Sequence, residues 1–219
     1  MRLVLASNNQ AKLAELGTLL APLAIDLVAQ SRLGIAEAPE PHVTFVENAL
    51  AKARHAARHA GAAAIADDSG LCVDALGGAP GVASAHFAAV AQHATDREAH
   101  RRAQDTANNA LLVERLRGAA ERSARFVSTL VAVRSADDPE PLIAVGRWHG
   151  EVLDTPRGAG GFGYDPLVYI AALGKTVAEL DAATKNRVSH RAQAVERMLA
   201  LLRGEWRLGA AGAGEPRTS

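Results

Sequence analysis

The apolar run from Ala62 to Ile65 leads directly into Ala66-Asp67-Asp68-Ser69-Gly70-Leu71, and this junction constrains the fold more than any other stretch of the chain. A run of that length reads as a buried strand, and open α/β sheets place their chemistry at strand ends. Adjacent side chains on an extended segment point to opposite faces, so Asp67 and Asp68 have different tasks: one faces a site and the other braces it. Asp, Ser and Gly each favour turns as well, so an ordinary turn competes as a reading of the same four residues. Four further polar clusters at segment boundaries, rich in groups that bind phosphate, metal or a purine edge, weigh against the plain turn.

With 219 residues, 48% of them hydrophobic, the chain can build one good-sized core. The patterning predicts a single domain over residues 1–204 and a C-terminal extension over 205–219, where the small-residue tail Gly209 to Ser219 predicts disorder. Formal net charge is zero, which argues against a nonspecific hold on nucleic acid or on an anionic membrane. Any phosphate must then be held locally. The single cysteine, Cys72, excludes an internal disulfide framework and, set between Leu71 and Val73, reads as a small core residue. Met1 to Ala6 is too short for a signal peptide, and no stretch approaches the ~20 apolar residues of a membrane helix. A soluble, cytoplasmic protein is expected.

Arg2 to Ala6 reads as a first strand, Ser7-Asn8-Asn9 as a turn, and Gln10 to Leu20 as a helix with Leu13, Leu16, Leu19 and Leu20 at helical spacing. Ile25 to Val28 predicts a second strand and Gly34 to Val43 a loop. Thr44 with Glu47 three residues on matches a capping box, opening an Ala-rich helix to about Ala60. After Gly70, Leu71 to Asp74 reads as a separate strand, followed by tight turns at Gly77 to Gly81 and a charged helix from Thr95 to Leu116. Arg125 to Arg134 and Pro141 to Val152 alternate as two antiparallel strands. A glycine-rich loop at Gly158 to Gly163, a short strand at Leu167 to Ile170 and a last helix from Ser189 to Leu202 complete the chain.

Ser7-Asn8-Asn9-Gln10-Ala11-Lys12 lies between strand and helix, where free N–H groups and the helix dipole favour an anion, and Lys12 adds a point charge. A plain Asn-rich cap with a solvated lysine is the alternative. Glu47, Asn48 and Lys52 share two turns of one helix. Glu47 either caps that helix or helps to hold Mg²⁺, a hard ion that takes carboxylate and phosphate oxygens; Glu40 upstream is a weaker candidate. Gly160-Gly161-Phe162-Gly163-Tyr164-Asp165-Pro166 pairs backbone freedom with two aromatics, which suits a stacked base, although a structural turn would use the same residues. Lys185-Asn186-Arg187 and Ser189-His190-Arg191 cap the last helix, with basic groups where the dipole disfavours them. An arginine there can donate to a purine carbonyl, whereas the amino group of adenine would meet it donor to donor. The other histidines, His55, His59, His86 and His93, read as surface or packing residues, and no metal-ligand spacing stands out among them.

These five clusters, in this order over residues 2 to 202, resemble the inosine triphosphate pyrophosphatase family: Ser-Asn-Asn-x-x-Lys, Thr-Phe-x-Glu-Asn-Ala, Ala-Asp-Asp-Ser-Gly-Leu, Gly-Phe-Gly-Tyr-Asp-Pro and Ser-His-Arg. The resemblance implies an α/β fold, a mixed elongated sheet with flanking helices in two lobes around a central cleft, usually assembled as a homodimer. It implies that Ser7, Asn8, Asn9, Gln10, Ala11 and Lys12 line a triphosphate, that Asp68 is proton acceptor and Mg²⁺ ligand, and that Ser69 contacts substrate. Phe162, Gly163, Tyr164 and Asp165 would hold the base, completed by Lys185, His190 and Arg191. The reaction implied is hydrolysis of ITP, dITP or XTP to monophosphate and pyrophosphate. One departure is Ser7-Asn8 where many relatives have Thr-Gly, which leaves anion binding intact but bears on loop geometry. A Maf-type pyrophosphatase for pyrimidine or modified nucleotides fits the Ser189-His190-Arg191 and Gly161-Phe162-Gly163 clusters less well. A non-hydrolysing nucleotide sensor has no need of the clustered acids at Asp67, Asp68 and Glu47.

Overall fold

Strand β1 (Arg2–Leu5) lies between β2 (Asp26–Ala29) and β3 (Ala63–Val73) and runs parallel to both, so each neighbour is reached by a crossover helix. These are α1 (Gln10–Leu20), whose N-cap Asn9 accepts the Lys12 N–H, and α2 (Phe45–Ala60), whose N-cap Thr44 accepts the Glu47 N–H. The computed structural model describes residues 2–21, 25–90 and 97–208, so the tail expected at 209–219 lies outside the described residues. Beyond β3 the sheet turns antiparallel through β4 (Ser123–Val133), β5 (Leu142–Val152), β6 (Val168–Ile170) and β7 (Lys175–Thr176). The full order is β2-β1-β3-β4-β5-β6-β7. Helix α3 (Arg97–Arg115) stands between β3 and β4 in sequence, and α4 (Ala182–Val188) and α5 (His190–Gly204) close the chain.

The long strands serve two lobes. At one end of β3 and β4, Ile65, Leu130 and Ala132 pack with Leu16 and Leu20 of α1 and with Val195, Met198 and Leu202 of α5. On the opposite sheet face Ala64, Ala66 and Val131 meet α2 through Ala49, Ala53, Ala56 and Ala57, small residues that let the helix lie close to the sheet. At the far end of the same strands Leu71, Val73, Ala124 and Phe126 join a second cluster with Leu112, Leu116, Tyr164 and Leu167. The expected two-lobed mixed sheet is the observed one.

Two expectations change. Asp67-Asp68-Ser69-Gly70 is not a turn between two strands but the middle of one continuous strand, paired with β4 from Ala64 to Val73. Two acids interrupt the apolar pattern there because cations from distant helices offset their burial, which no local reading detects. Lys185 lies in its own helix α4, capped by Asp181, rather than at the cap of the last helix. The chain after Gly204 also stays attached for a few residues: Trp206 and Leu208 pack against the first core, and Arg134 lies 5.3 Å from the Trp206 ring.

The cleft follows from β3's free edge. Strand β1 accompanies β3 as far as Ile65, and from Leu71 onward the edge is covered by the turn that follows, with Leu71 N–H donated to Ser84 Oγ and Val73 N–H to the Ala79 carbonyl. Residues 66–70 lie between these two covers. Gly70 has no room for a side chain, because a Cβ would run into the Gly81 carbonyl and Ser84 Oγ.

Candidate active site

Side-chain alternation sends Asp67 and Ser69 to the face of α1 and α5, and Asp68 to the face of α2. Asp67 is fully engaged. It accepts Ser69 Oγ at 3.0 Å and Ser128 Oγ at 2.6 Å and pairs with Lys12 at 2.9 Å and Arg191 at 3.3 Å. Burial alone would raise this carboxyl, but Lys12 and Arg191, with the Ser128 hydroxyl, hold it well below the usual carboxylate range. Asp67 is therefore the brace.

Asp68 is the less satisfied acid. Its Oδ1 meets Lys52 Nζ at 2.8 Å, while its buried Oδ2 has no protein partner. Lys52 is shared, lying 3.1 Å from Glu40 as well, so its charge is divided between two carboxylates. Burial pushes the Asp68 carboxyl up to about 6 against the pull of Lys52. Glu40 is more open, and although burial acts to raise it, Lys52 brings it down. Burial likewise acts to lower Lys52, but Asp68 and Glu40 prevail and raise it.

These groups sit at one end of a cleft of about 620 Å³ between the lobes. Ser7, Asn8, Asn9 and Lys12 line it from the β1–α1 turn, where Ser7 Oγ accepts the Asn9 N–H and Asn8 Oδ1 accepts Gln30 Nε2. Burial lowers the Lys12 amine, with Asp67 opposing. Gln10 and Ala11 begin α1, and their side chains fall outside the described residues.

The other end carries the glycine-rich loop. Asp165 accepts the Phe162 N–H at 2.9 Å and Lys185 Nζ at 2.8 Å, and burial raises its carboxyl despite Lys185. Gly161 is required there: its φ is +73°, and a Cβ would strike the Asp165 carboxylate. Three cations stand over the Phe162 ring, Lys185 at 4.6 Å, Arg101 at 5.3 Å and Arg191 at 5.9 Å from its centre. Tyr164 is buried with its hydroxyl donated to the Ser84 carbonyl, so its ring belongs more to the wall than to a stacking platform. His190 stacks on Phe126 at 5.0 Å, and burial, then Arg191, holds it neutral.

Arg191 pairs with Glu15 as well as Asp67 and donates to Ser69 Oγ at 3.1 Å; its Nε has no protein partner. Glu15 in turn meets Lys185 at 3.1 Å. Lys12, Asp67, Arg191, Glu15, Lys185 and Asp165 thus form a chain of alternating charge from one end of the cleft to the other. Arg191, the first-turn cation that the α5 dipole disfavours, is offset by Glu15 and Asp67.

Glu47 stays apart. It is exposed, accepts the Thr44 hydroxyl at 2.5 Å in the capping geometry of α2, and does not line the cleft. Among the described residues no three His, Cys, Asp or Glu side chains gather at metal-binding spacing. His86, read as a surface or packing residue, is exposed and also lines the cleft, and His93 lies outside the described residues. Lys52, Glu15, Ser128, Arg101 and Asp105 were not among the expected site residues. Glu15 follows Lys12 by one helical turn, a spacing that signals a shared face, whereas nothing local marks Ser128.

A mixed sheet split by a cleft, with acids and lysines at one end and a cation-flanked aromatic loop at the other, defines an α/β protein whose cleft offers charged groups at both ends. Residues 3–201 match the Ham1 family, and the chain belongs to that family. A protein of Methylibium petroleiphilum named dITP/XTP pyrophosphatase is 69% identical over 94% of this chain and 99% of its own length. A second so named, from Leptothrix cholodnii, is 67% identical over 95% of this chain and 100% of its own. Among solved structures, a HAM1 protein from Coxiella burnetii is similar with a TM-score of 0.82 at 42% identity, covering 92% of this chain and 98% of that one.

Proposed function

We propose that this protein hydrolyses non-canonical purine nucleoside triphosphates, ITP, dITP and XTP, between the α- and β-phosphates, giving the monophosphate and pyrophosphate. The observation that carries the reading is the Asp68 carboxylate: buried, raised towards neutrality and with one oxygen uncommitted, at the lysine-rich end of the cleft. Such a group is poised to take a proton from water at neutral pH. Full-length likeness to proteins named dITP/XTP pyrophosphatase supports the same chemistry.

In this reading the β1–α1 turn and Lys12 receive the triphosphate, and Lys12 steadies the departing pyrophosphate. The donor set suits Mg²⁺. Asp68 and Glu40 supply hard oxygens beside Lys52, and the unsatisfied Asp68 Oδ2 would meet the ion through a water, which leaves it able to take that water's proton; Mg²⁺ characteristically takes one or two carboxylates with phosphates and water completing its shell. When bound, the ion neutralises charge developing on phosphate oxygens. At the other end a purine stacks near Phe162, where Lys185 and Arg191 present donors. A 6-keto group accepts from them; the 6-amino group of adenine does not. We further propose a cytoplasmic homodimer. No described helix is long and apolar enough to cross a membrane, and light scattering of the purified protein measures the assembly.

A pyrophosphate-release assay over ITP, dITP, XTP, ATP and GTP tests the proposal. The first three are expected to turn over at least about tenfold faster than ATP, a ratio within reach of a hydrogen-bonding site, while GTP, which shares the 6-keto group, measures what the 2-position adds. Chelation of divalent metal is expected to abolish release. Equal rates for ATP and ITP would remove the base selectivity, and orthophosphate as the first product would move the cleavage to another bond.

A further inference from the structure

We infer that Asp105 and Asn109 of α3 are positioning residues for the base-holding loop, fixing the Gly163 peptide groups so that Phe162 presents its ring to the purine. This deepens the proposed function and rests on Phe162 lying at the base end of the cleft. Asp105 Oδ2 accepts the Gly163 N–H at 2.9 Å, and Asn109 Nδ2 donates to the Gly163 carbonyl at 2.9 Å. Both sides of one residue are thus held by a helix distant from it in sequence. Gly163 has φ +61°, so these bonds fix a conformation that the loop's own sequence leaves open.

The spacing makes α3 a template. Arg101, Asp105 and Asn109 lie at successive i, i+4 positions on one stripe, and Arg101 covers the Phe162 ring. The neighbouring stripe, Gln104 and Asn108, grips the opposite wall: Gln104 Nε2 donates to the Ala88 carbonyl at 2.7 Å, and Asn108 exchanges bonds with Ala88 N–H and the Ser84 carbonyl. Tyr164 joins the two walls through its bond to that same carbonyl. The helix therefore sets the separation of the two walls between which a flat ring must slide. The triphosphate end, built from α1, α2 and β3, makes none of these α3 contacts; it reaches the loop through the charge chain that ends on Asp165, which leaves the α3 bonds to Gly163 as a hold on the base end alone.

Steady-state kinetics with dITP, together with competitive inhibition by inorganic tripolyphosphate, separates the ends. Asp105→Ala and Asn109→Ala are each expected to raise KM for dITP by roughly tenfold with kcat within about threefold of the parent, since each removes a hydrogen bond that holds the ring in place. Inhibition by tripolyphosphate, which has no base, is expected to stay within about twofold, which also establishes that the variant is folded. Asp105→Asn keeps an acceptor for the Gly163 N–H and is expected to restore KM, a rescue that general loss of structure would not give. Parental KM for dITP in both alanine variants overturns the inference, as does a loss of tripolyphosphate inhibition in step with KM. A parent protein that fails to cleave dITP at all would instead overturn the proposed reaction.

Discussion

Asp68→Asn is expected to lower turnover by roughly two to four orders of magnitude, the range attributed to a positioned general base, while nucleotide affinity stays near parental. The amide keeps an oxygen for Lys52 Nζ, now 2.8 Å from Oδ1, so the local packing survives. What disappears is the oxygen able to take a proton and one negative charge for the metal. The same substitution has the opposite sign for stability. In metal-free protein Asp68 titrates near 6 when folded, raised by burial from the ordinary 3.8. Below about pH 4 both states hold the proton; between about 4 and 6 the unfolded chain releases it and the folded protein does not, so stability falls as pH rises through that window. A shift of about two units corresponds to roughly 3 kcal/mol. Buried neutral His190 acts in the other direction over part of the same range, since it resists protonation that the unfolded chain accepts, but parent and variant share it. With chelator present, the Asp68→Asn protein is therefore expected to gain on the parent in urea unfolding as pH rises from about 4 to 6. Near-parental turnover rejects Asp68 as the base. A variant that loses stability relative to the parent over that window shows instead that the carboxylate supports the fold.

This opposition explains what was legible in the sequence and what was not. Helix α2 was readable to its ends because Thr44 with Glu47 and the final Gly61 mark both termini, and its alanines mark the buried face. The first strand and helix were equally plain from leucine spacing. The acid pair was recognised but misplaced at a strand end, since three polar residues followed by a glycine imitate a turn. Only the register with β4, which sets Asp67 opposite Leu130 and Asp68 opposite Thr129, makes them mid-strand. Position on a face was predictable by alternation, and so was the division of labour between the two acids. Which acid was the brace came from the family resemblance, which gave Asp68 the proton, and not from the residues alone, because the bracing depends on Lys12, Arg191 and Ser128 arriving from three separate elements. Glu47 shows the converse: a carboxylate in a suggestive motif whose local capping geometry accounts for it. Lys52, one residue beyond the i+4 position from Glu47, was noticed without a role, and its place between Asp68 and Glu40 required tertiary structure.

Arg191→Ala is expected to destabilise the protein by about 3–5 kcal/mol, the usual result of removing one partner from a buried ionic group. Arg191 is among the largest fully buried side chains, and its guanidinium serves Glu15, Asp67 and Ser69 together. Burial acts to lower its basicity, but Asp67 and Glu15 more than compensate, so it is charged at every working pH. Without it, Lys12 still attends Asp67 and Lys185 still attends Glu15, which keeps the loss from being larger. A loss of this size is a large part of the 5–15 kcal/mol that holds a typical domain together, so reduced activity in the alanine variant alone says little about recognition. Arg191→Lys separates the two roles. It retains the buried charge but offers a point donor in place of a planar fork, and cannot reach three acceptors at once. It is expected to fold with a smaller loss, about 1–2 kcal/mol, and to narrow the ITP-to-ATP ratio of kcat/KM by roughly tenfold, because the purine carbonyl loses an oriented donor. Chemical denaturation measures the first effect and paired kinetics the second. Unfolding of Arg191→Ala at the parental denaturant concentration removes the charge chain as a source of stability. An unchanged ratio in Arg191→Lys confines the residue to bracing Asp67 and Glu15, and leaves Lys185 to read the base.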